Sequence, residues 1–464
     1  MDTRLVGSTD PRSRDAAMKG LRLLLVLTSI GTASAASAET FCIIPCFLTP
    51  CSQHTWPTDP PPCDNTSTLQ ACVDSAGSGD TVLIAFNSVN QSISFQKTLT
   101  LAAAQGFTPV FSTGRSITAE ATTGCNSFTI QGLTLQQGEI LVAQESGGSL
   151  NARILGNTIQ SPSTAQGAIM MQVGESVGPV GFEVSGNTIS IPYDETGVLE
   201  HESAIVIYGD GPSFTGVVED NSIAMEGIVG GAAIDVTNRA DSAQVDVIAN
   251  RITGEDYDNG VIFNQAAGAL QGRALDNLVI GAAGPTSGTK GGVSVETTGG
   301  TFDGTIANNT IAAADRGIYV YGSSASALVA NNIVGCSQSG IYIDKASPPT
   351  VQNFNNLLFG SCLSFYGTTA GLGTLSTDPL FVGPDDYHLQ PGSPAIDGGT
   401  NRPIPTTDVE GNPITDLDGH PRIQGLRVDI GAYEAPEPDA QMLAVVAIAA
   451  LAGLASLRRR RALR

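Results

Sequence analysis

Tyrosines and acidic residues recur in the second half of the chain around short apolar segments, and together they could recognise a sugar. An aromatic face packs on a pyranose ring, and polar groups bond the sugar hydroxyls. The candidate ligand-binding residues are Tyr208, Asp235, Glu296, Tyr319, Tyr321, Tyr342 and Asp344, with Asn264, Lys290, Arg316 and Lys345 beside them. The alternative is an ordinary solvated sheet surface, on which tyrosine is common because it favours strands.

These candidates share one surface only if the segments around them stack, and a repeat in the sequence predicts such stacking. Each segment has a small residue followed by apolar–x–apolar, as in AIVI at residues 204–207 and GIYI at residues 340–343. Alternation with period two is typical of a strand with one side in the core. Asp235, Tyr319 and Tyr342 are then expected to point outward, and the other candidates to lie just past the strand ends.

An asparagine between these segments marks the second element of the repeat. Eight copies lie 23 to 34 residues apart: Asn157, Asn187, Asn221, Asn250, Asn277, Asn309, Asn332 and Asn356. Asparagine tolerates the left-handed backbone region and can hydrogen-bond to its copy one coil away. We therefore expect the eight to form a ladder along the sharp bends of a strand coil.

A unit this short cannot bury an apolar face alone, so successive units must stack on each other. The shortest asparagine spacing indicates a basic coil of about 23 residues. At the ~4.8 Å strand spacing, about ten coils make a rod ~48 Å long. Glycine accounts for 54 of 464 residues and no apolar period of 3.6 is sustained, which excludes a helical repeat. The sequence predicts a parallel β-solenoid.

The two ends of the chain predict export. Before Glu39 lie a basic stretch, an apolar run at residues 21–30 and Ala-Ser-Ala, which is typical of a signal peptide cleaved after Ala38. The C-terminal end has Pro-Glu-Pro at residues 436–438, an apolar run at residues 442–457 and four arginines. Sixteen residues span only ~24 Å of a ~30 Å hydrocarbon core, so this run is a short anchor or a sorting tag.

Proline-glutamate-proline, a short span and an arginine cluster together resemble the PEP-CTERM sorting signal. In that family a membrane peptidase, the exosortase, is thought to remove the tail during export in Gram-negative bacteria. The resemblance implies a protein at the cell surface or outside the cell. The tail would hold it in the membrane until processing, which makes an exosortase-like peptidase an expected partner.

The exported segment is strongly acidic. Residues 39–438 hold 12 Lys/Arg and 40 Asp/Glu, a net charge of −28 over 400 residues. Such a charge repels nucleic acid and anionic membrane, so neither is an expected partner. A polyanionic ligand would need a cation between it and the protein. No cofactor and no set of metal ligands is predicted. Because the segment is acidic, bound calcium remains possible.

All eight cysteines lie in the exported segment, where an even number predicts disulfides rather than zinc. Cys336 and Cys362 follow Asn332 and Asn356 by four and six residues, at nearly the same place on adjacent coils. We predict that these two cysteines pair. The pairing stays open among Cys42, Cys46, Cys51, Cys63, Cys72 and Cys125.

A solenoid exposes strand edges at both ends, which must be covered. Residues 68–76 have the apolar spacing of a short amphipathic helix, and a strand is predicted from Thr81 to Phe86. This order resembles the start of right-handed parallel β-helix proteins of the pectate-lyase-like superfamily. We therefore predict an all-β fold, a right-handed parallel β-helix of about ten coils with an N-terminal helical cap and a C-terminal loop-rich cap.

Three segments near the other end resemble the choice-of-anchor Q domain. They are TDPLFVGPDDYHLQPGSPAIDGGT (377–400), DLDGHPR (416–422) and VDIGAYE (428–434). That family comprises bacterial surface proteins with a β-helix body, and it implies no established activity. Prolines and glycines predict turns over the last coil. The residues expected in an ion-pair and hydrogen-bond network there are Asp397, Asp416, Asp418, Arg422 and Asp429. A calcium loop from Asp416 to Gly419 is the alternative, but the full ligand pattern is missing.

These observations predict five regions. They are a leader and signal peptide (1–38), a Cys/Pro-rich segment (39–67), the parallel β-helix (68–376), the C-terminal cap (377–434) and the sorting tail (435–464). The boundaries fall where the composition changes. Only the third and fourth regions carry the candidate binding and network residues.

The superfamily resemblance raises the question of catalysis. The Arg-x-Pro-x-x-Arg phrase of a lyase and the Gly-His-Gly of a hydrolase are absent, and the chain has four histidines. We predict no catalytic residue. The predicted function is an exported surface or matrix protein, structural or bound to extracellular polysaccharide. The alternative is a polysaccharide lyase or glycoside hydrolase, and a protein adhesin with an apolar patch is a third hypothesis.

Overall fold

A computed structural model describes residues 52–144, 147–160, 167–174, 178–191, 203–226, 231–255, 257–282, 291–360 and 363–436. Almost all regular structure in these ranges is short parallel strand, because apolar and polar side chains alternate with period two. In one strand Ile205 and Ile207 are buried, whereas the residue after each of them, Val206 and Tyr208, is partly exposed. The strands form three faces around a continuous apolar core.

The first face consists of the strands that precede the asparagine bends, and it has twelve parallel members. Its strands are Gln53–Trp56, Thr81–Ile84, Leu99–Ala103, Gly124–Gln131, Gly148–Leu155, Val180–Ser185, Ser213–Glu219, Ser242–Ile248, Ala269–Leu275, Thr301–Ala307, Ala325–Ala330 and Thr350–Phe354. Each strand pairs with the next in sequence, one coil along. The in-register pairing fixes which side chains reach the core.

The second face follows each asparagine bend and is made of shorter strands. These are Ser88–Val89, Val110–Phe111, Thr134–Gln136, Thr158–Gln160, Thr188–Ile191, Ser222–Glu226, Arg251–Glu255, Leu278–Ile280, Leu357–Gly360 and Leu375–Ser376. Two long strands, Thr310–Tyr321 and Ile333–Ile343, begin on this face and continue onto the third. Their continuity joins the two faces into one 21-stranded sheet.

The third face carries the segments that the small–apolar–x–apolar pattern predicted. Its strands are Ile93–Phe95, Ile117–Ala121, Ile140–Gln144, Gly167–Val173, Ser203–Gly209, Ala232–Asn238, Asn259–Gln265, Gly291–Thr297 and Leu363–Tyr366, with the ends of the two long strands. The predicted right-handed parallel β-helix of about ten coils is thereby confirmed. Its second and third faces meet at a corner that no asparagine marks.

The eight asparagines lie in one buried row between the first and second faces. Oδ1 of Asn250 accepts hydrogen bonds from the backbone N–H (3.1 Å) and Nδ2 (2.9 Å) of Asn221 in the preceding coil. Its Nδ2 donates to the carbonyl oxygen of Val218 and to Oδ1 of Asn277 in the next coil. The same pattern links consecutive members from Asn157 to Asn356. Each bend is therefore bonded to both neighbours.

The left-handed backbone is found one residue before each ladder asparagine, and not at the asparagine as expected. The residues with φ between 52° and 65° are Gly156, Gly186, Asp220, Ala249, Asp276, Asn308, Asn331 and Asn355. This residue reverses the chain direction. The asparagine after it then directs both its backbone N–H and its side chain along the rod. The division of roles explains why the preceding residue varies in type whereas the asparagine does not.

A short helix, Leu69–Ser75, lies before the first coils and buries Leu69, Cys72 and Val73. It begins after Thr68, whose hydroxyl accepts a hydrogen bond from the N–H of Ala71. Within the described residues Cys72 forms a disulfide with Cys63. Cys336 is also disulfide-bonded, while its predicted partner Cys362 lies outside the described ranges.

Residues 377–436, here called the strap, fold back along the edge between the first and second faces. The expected turns do pack on the last coils, where Phe381 and Leu389 join a cluster with Phe359 and Leu375, but the segment also continues over earlier coils. Asn355 donates to the carbonyl oxygen of Gly398, and far from the last coil Asp246 accepts from the N–H of Val409 (2.7 Å). Ile404 and Ile414 of the strap join an apolar cluster with Val217, Ile248, Ala249, Leu275, Ala307 and Ala330. The strap thus crosses six successive coils.

Hydrogen bonds join the expected residues of the strap in pairs, Asp397 with Asp429, Asp418 with Asp416 and Arg422 with Asp429, but the ion pairs differ from the expected ones. Arg422 pairs with Asp276 of the β-helix and with Glu434, each at 3.2 Å. Asp416 and Asp429 accept backbone N–H groups instead of pairing with Arg422 through their side chains. The cause is the lateral position of the strap, which brings Arg422 to a buried carboxylate of another coil.

In the described ranges no helix is long and apolar enough to cross a membrane. The expected leader at residues 1–38 lies outside those ranges. So do the apolar run at residues 442–457, Lys290, and the cysteines at positions 42, 46 and 51. The expectations for these residues therefore remain predictions.

Candidate functional site

The third face orders most of the candidate binding residues into two columns that run along the rod. One outward column contains, coil by coil, Asp235, Ile262, Ser294, Tyr319, Tyr342 and Tyr366. The parallel column two residues further along each strand contains Tyr208, Thr237, Asn264, Glu296 and Tyr321. Asp344 follows the end of its strand and bonds to Val320 of the previous coil.

Tyr319, Tyr342 and Tyr366 form a continuous row, here called the tyrosine strip. The ring centroids of Tyr319 and Tyr342 are 5.3 Å apart, and those of Tyr342 and Tyr366 are 4.4 Å apart with an interplanar angle of 10°. Tyr366 was missed by the sequence analysis. The sequence spacing could have identified it, because each of the three tyrosines follows a ladder asparagine by ten residues.

Two cations pack against the rings of the tyrosine strip. The guanidinium carbon of Arg316 is 4.3 Å from the ring centroid of Tyr342 and 5.1 Å from that of Tyr319. Nζ of Lys345 is 4.3 Å from the ring centroid of Tyr366. These contacts and the ring stacking cover much of the aromatic faces. The strip therefore offers hydroxyl groups and ring edges to a ligand, rather than the open ring face that the sequence analysis expected.

The strip grades from buried to exposed. Tyr319 is 4% exposed, whereas Tyr366 is 36% exposed. Burial raises the pKa of Tyr319 and of Tyr342 above the ordinary tyrosine value. Both hydroxyls therefore keep their protons at neutral pH and can donate hydrogen bonds.

Acidic side chains lie on the third face in different environments. Asp235 is partly buried, and its Oδ1 accepts hydrogen bonds from Thr237 Oγ1 (2.9 Å) and Asn264 Nδ2 (3.2 Å). Burial raises the pKa of Asp235, and the nearby charge of Glu296 adds to this. Oδ2 of Asp344 accepts from the N–H of Ser347 (2.8 Å). Asp235 and Glu296 lie in neighbouring columns, two coils apart.

The face does not bring all the candidates together. Asp235 lies three strand spacings from Tyr319 in its column, and Tyr208 lies three from Glu296, a distance of ~14 Å. Tyr208 has its own cation neighbour, Arg239, at 5.4 Å. The continuous part of the candidate site consists of Glu296, Arg316, Tyr319, Tyr321, Tyr342, Asp344, Lys345 and Tyr366.

Comparison with known proteins gives a partial family match. Residues 181–361, fewer than half of the chain, match the family model described as NosD, periplasmic copper-binding protein. No curated protein matches the sequence. Two similar solved structures are pectate lyase Pel9A (12% identity, TM-score 0.41, covering 82% of this chain and 96% of that one) and XylC in complex with xylose (11%, 0.45, 83% and 99%). At these identities neither activity transfers to this chain.

The matched segment does not fit copper in the residues that the structure describes. Copper in proteins favours imidazole, thiolate and thioether ligands. In the described part of residues 181–361 there is no histidine, Cys336 is disulfide-bonded and Met225 is buried in the core. We therefore assign no copper chemistry to this segment.

Proposed function

We propose that the protein is an exported β-helix that binds an extracellular polysaccharide along its third face without cleaving it. The observation that carries the proposal is the continuous row of tyrosine hydroxyls, carboxylates and cations from Glu296 to Tyr366. Such groups can donate to and accept from sugar hydroxyls repeatedly along a polymer. The row runs parallel to the rod axis, which suits a chain-like ligand.

Export is supported by the signal peptide and the sorting-tail pattern, and it agrees with the periplasmic description of the matching family. We propose that the β-helix is displayed at, or released from, the surface of a Gram-negative cell. The tail would hold it in the membrane until an exosortase-like peptidase removes it. On this proposal, the rod serves to hold the binding face away from the membrane.

Binding without catalysis is favoured by how the charged groups are engaged. Arg316 packs against two tyrosine rings, and Asp235 is held by two hydrogen bonds three coils from the strip. A lyase needs a base and carboxylates that converge on one sugar. Glu296 and Asp344 lie on the same face as Arg316, but Arg316 is held between the rings and Asp235 is remote from all three.

Substituting single strip tyrosines tests the proposal. Tyr342→Phe and Tyr366→Phe keep the rings and remove one hydroxyl each, so the stack and the fold should remain. One sugar hydrogen bond is worth about 0.5–1.5 kcal/mol, so each change should weaken polysaccharide binding about 2- to 12-fold. Binding would be measured by calorimetry across neutral and uronate-containing polymers.

Thr118→Ala is the matched control, because Thr118 occupies the same outward column many coils away. It should leave the affinity unchanged. Binding that is equally strong in the control and in both tyrosine variants would place the polysaccharide elsewhere and overturn the proposal.

Glycoside hydrolysis is the second candidate, and the observation that favours it is the raised pKa of Asp235, which lies two coils from the carboxylate Glu296 on the third face. The same incubations distinguish the two functions. Reducing or unsaturated sugar ends that accumulate with turnover, and disappear in Asp235→Asn, would establish an enzyme. Binding with no product over many hours supports the non-catalytic reading.

A further inference from the structure

Two tight turns of the strap place histidines and aspartates together at the surface, away from the third face. In the first turn Phe381 and Leu389 form an antiparallel bridge, and in the second Thr415 and Pro421 do so. His388 belongs to the first turn. Asp416, Asp418 and His420 belong to the second, and none of these four has a role in the proposed polysaccharide site.

The potential ligand atoms of the second turn lie close enough to share an ion, and His388 of the first turn contacts one of them. Single ligand atoms of Asp416, Asp418 and His420 lie within 4.8 Å of one another. From the other turn, Nε2 of His388 is 2.7 Å from Oδ2 of Asp418. Ligands of a tetrahedral zinc ion at ~2.0–2.2 Å are about 3.3 Å from each other. Asp418 and His388 would need to separate by only a few tenths of an ångström, and both side chains are partly exposed.

A further carboxylate orients the histidine of the first turn. Oδ1 of Asp386 is 2.5 Å from Nδ1 of His388. Both ring nitrogens of His388 thus face carboxylate oxygens, and a metal ion would take the place of the proton between Nε2 and Asp418. Metal-binding histidines are held in the same way, with the second ring nitrogen bonded to a carboxylate. This contact is a second feature of a metal site, separate from the clustering of the ligand atoms.

We propose that the strap binds a divalent transition-metal ion through His388 Nε2, His420, Asp418 and Asp416, with Asp386 as a positioning residue. Two imidazoles and two carboxylates suit zinc and its neighbours. Calcium takes six to eight oxygen ligands, which this cluster does not offer. The site lies outside residues 181–361, so it is independent of the family match. The ion joins the two turns and stabilises the strap against the β-helix.

The test uses the purified full chain after treatment with a chelator. Titration with Zn²⁺ should show one binding site by calorimetry, and Co²⁺ should give the visible absorption of a four-coordinate ion. The melting temperature should rise with added Zn²⁺, because the ion binds the folded state alone. An excess of Ca²⁺ should not displace Zn²⁺.

His388→Gln and His420→Gln should each weaken Zn²⁺ binding at least about tenfold, and Asp386→Asn about 10- to 100-fold through its orienting role. His54→Gln is the matched control, since His54 also contacts an aspartate, Asp80, at 3.1 Å. Melting of each metal-free variant checks that the fold is intact.

Three outcomes would overturn the proposal. They are the absence of stoichiometric Zn²⁺ binding, binding that survives both histidine substitutions, and displacement by Ca²⁺ at similar concentrations. The first would leave His388 as an ion-pair bridge between the two turns. The third would identify an acidic surface that attracts any cation.

Discussion

At the scale of single residues, the fold rests on buried amides that each serve two coils. A ladder asparagine satisfies a backbone N–H of the preceding coil and a carbonyl oxygen that would otherwise be unbonded in the interior. An unsatisfied buried polar group costs about 1–3 kcal/mol. The ladder therefore stabilises the bends, whose backbone groups are not bonded by strand pairing.

Asn250→Ala should destabilise the protein by about 2–5 kcal/mol. It removes the acceptor of Asn221 N–H and the donor to Val218 in a site with no solvent access. Urea unfolding followed by circular dichroism measures the change. Asn264→Ala is the control, because Asn264 is partly exposed on the third face, and it should cost less than about 1 kcal/mol. Equal effects of the two changes would contradict the role of the ladder.

Sequence spacing alone was sufficient to identify these asparagines as a periodic row. It could not place the left-handed residue, because that position holds glycine, aspartate, alanine or asparagine in different coils. Tyr366 was missed because its segment, LSFY, lacks the small residue and aliphatic pair of the other copies. Its distance of ten residues from Asn356 was the one feature of the sequence that placed it in the row.

At the scale of elements, the strap is the part that periodicity could not place. Its contacts join residues as far apart in sequence as Asp246 and Val409, and no repeat links them. Its prolines and glycines predicted turns, but they carry no information on the surface that the segment covers. At the centre of the contact, Arg422 lies between two buried carboxylates, Asp276 and Glu434. One arginine cannot neutralise both.

This triad should make the protein less stable at alkaline pH. Burial raises the pKa of Asp276 to about 7 and that of Glu434 to about 8, above their ordinary values near 4. The folded state then holds more protons than the unfolded state, so the free energy of unfolding falls as pH rises from about 4 through 8. Thermal melting between pH 5 and pH 9 measures the decline.

Asp276→Asn should flatten that decline, because it removes one of the two titrating groups. The exposed Asp303, on the same face of the β-helix, supplies the control Asp303→Asn, which should keep the wild-type slope. An Asp276→Asn protein with an unchanged pH profile would show that the triad does not hold the extra proton.

At the scale of the whole molecule, the net charge of residues 39–438 should influence which polysaccharides the protein binds. A net charge of −28 repels a uronate polymer but has no effect on a neutral one. The affinity for uronate polymers should therefore rise as NaCl increases from 20 to 300 mM, since salt screens the repulsion. The affinity for neutral polymers should not change, and calorimetry at both salt concentrations compares them. A uronate affinity that falls with salt would indicate a cationic binding surface instead.

The amide ladder also gives the rod a direction of growth. Every Oδ1 in the row accepts from the coil before it, beginning with the N–H of Leu133, which donates to Asn157. Each coil thus presents a donor that only its successor can satisfy, so the chain can add coils one at a time, starting from the N-terminal end. The strap is the last part of the chain to fold, and its contacts then stabilise six coils that have already formed.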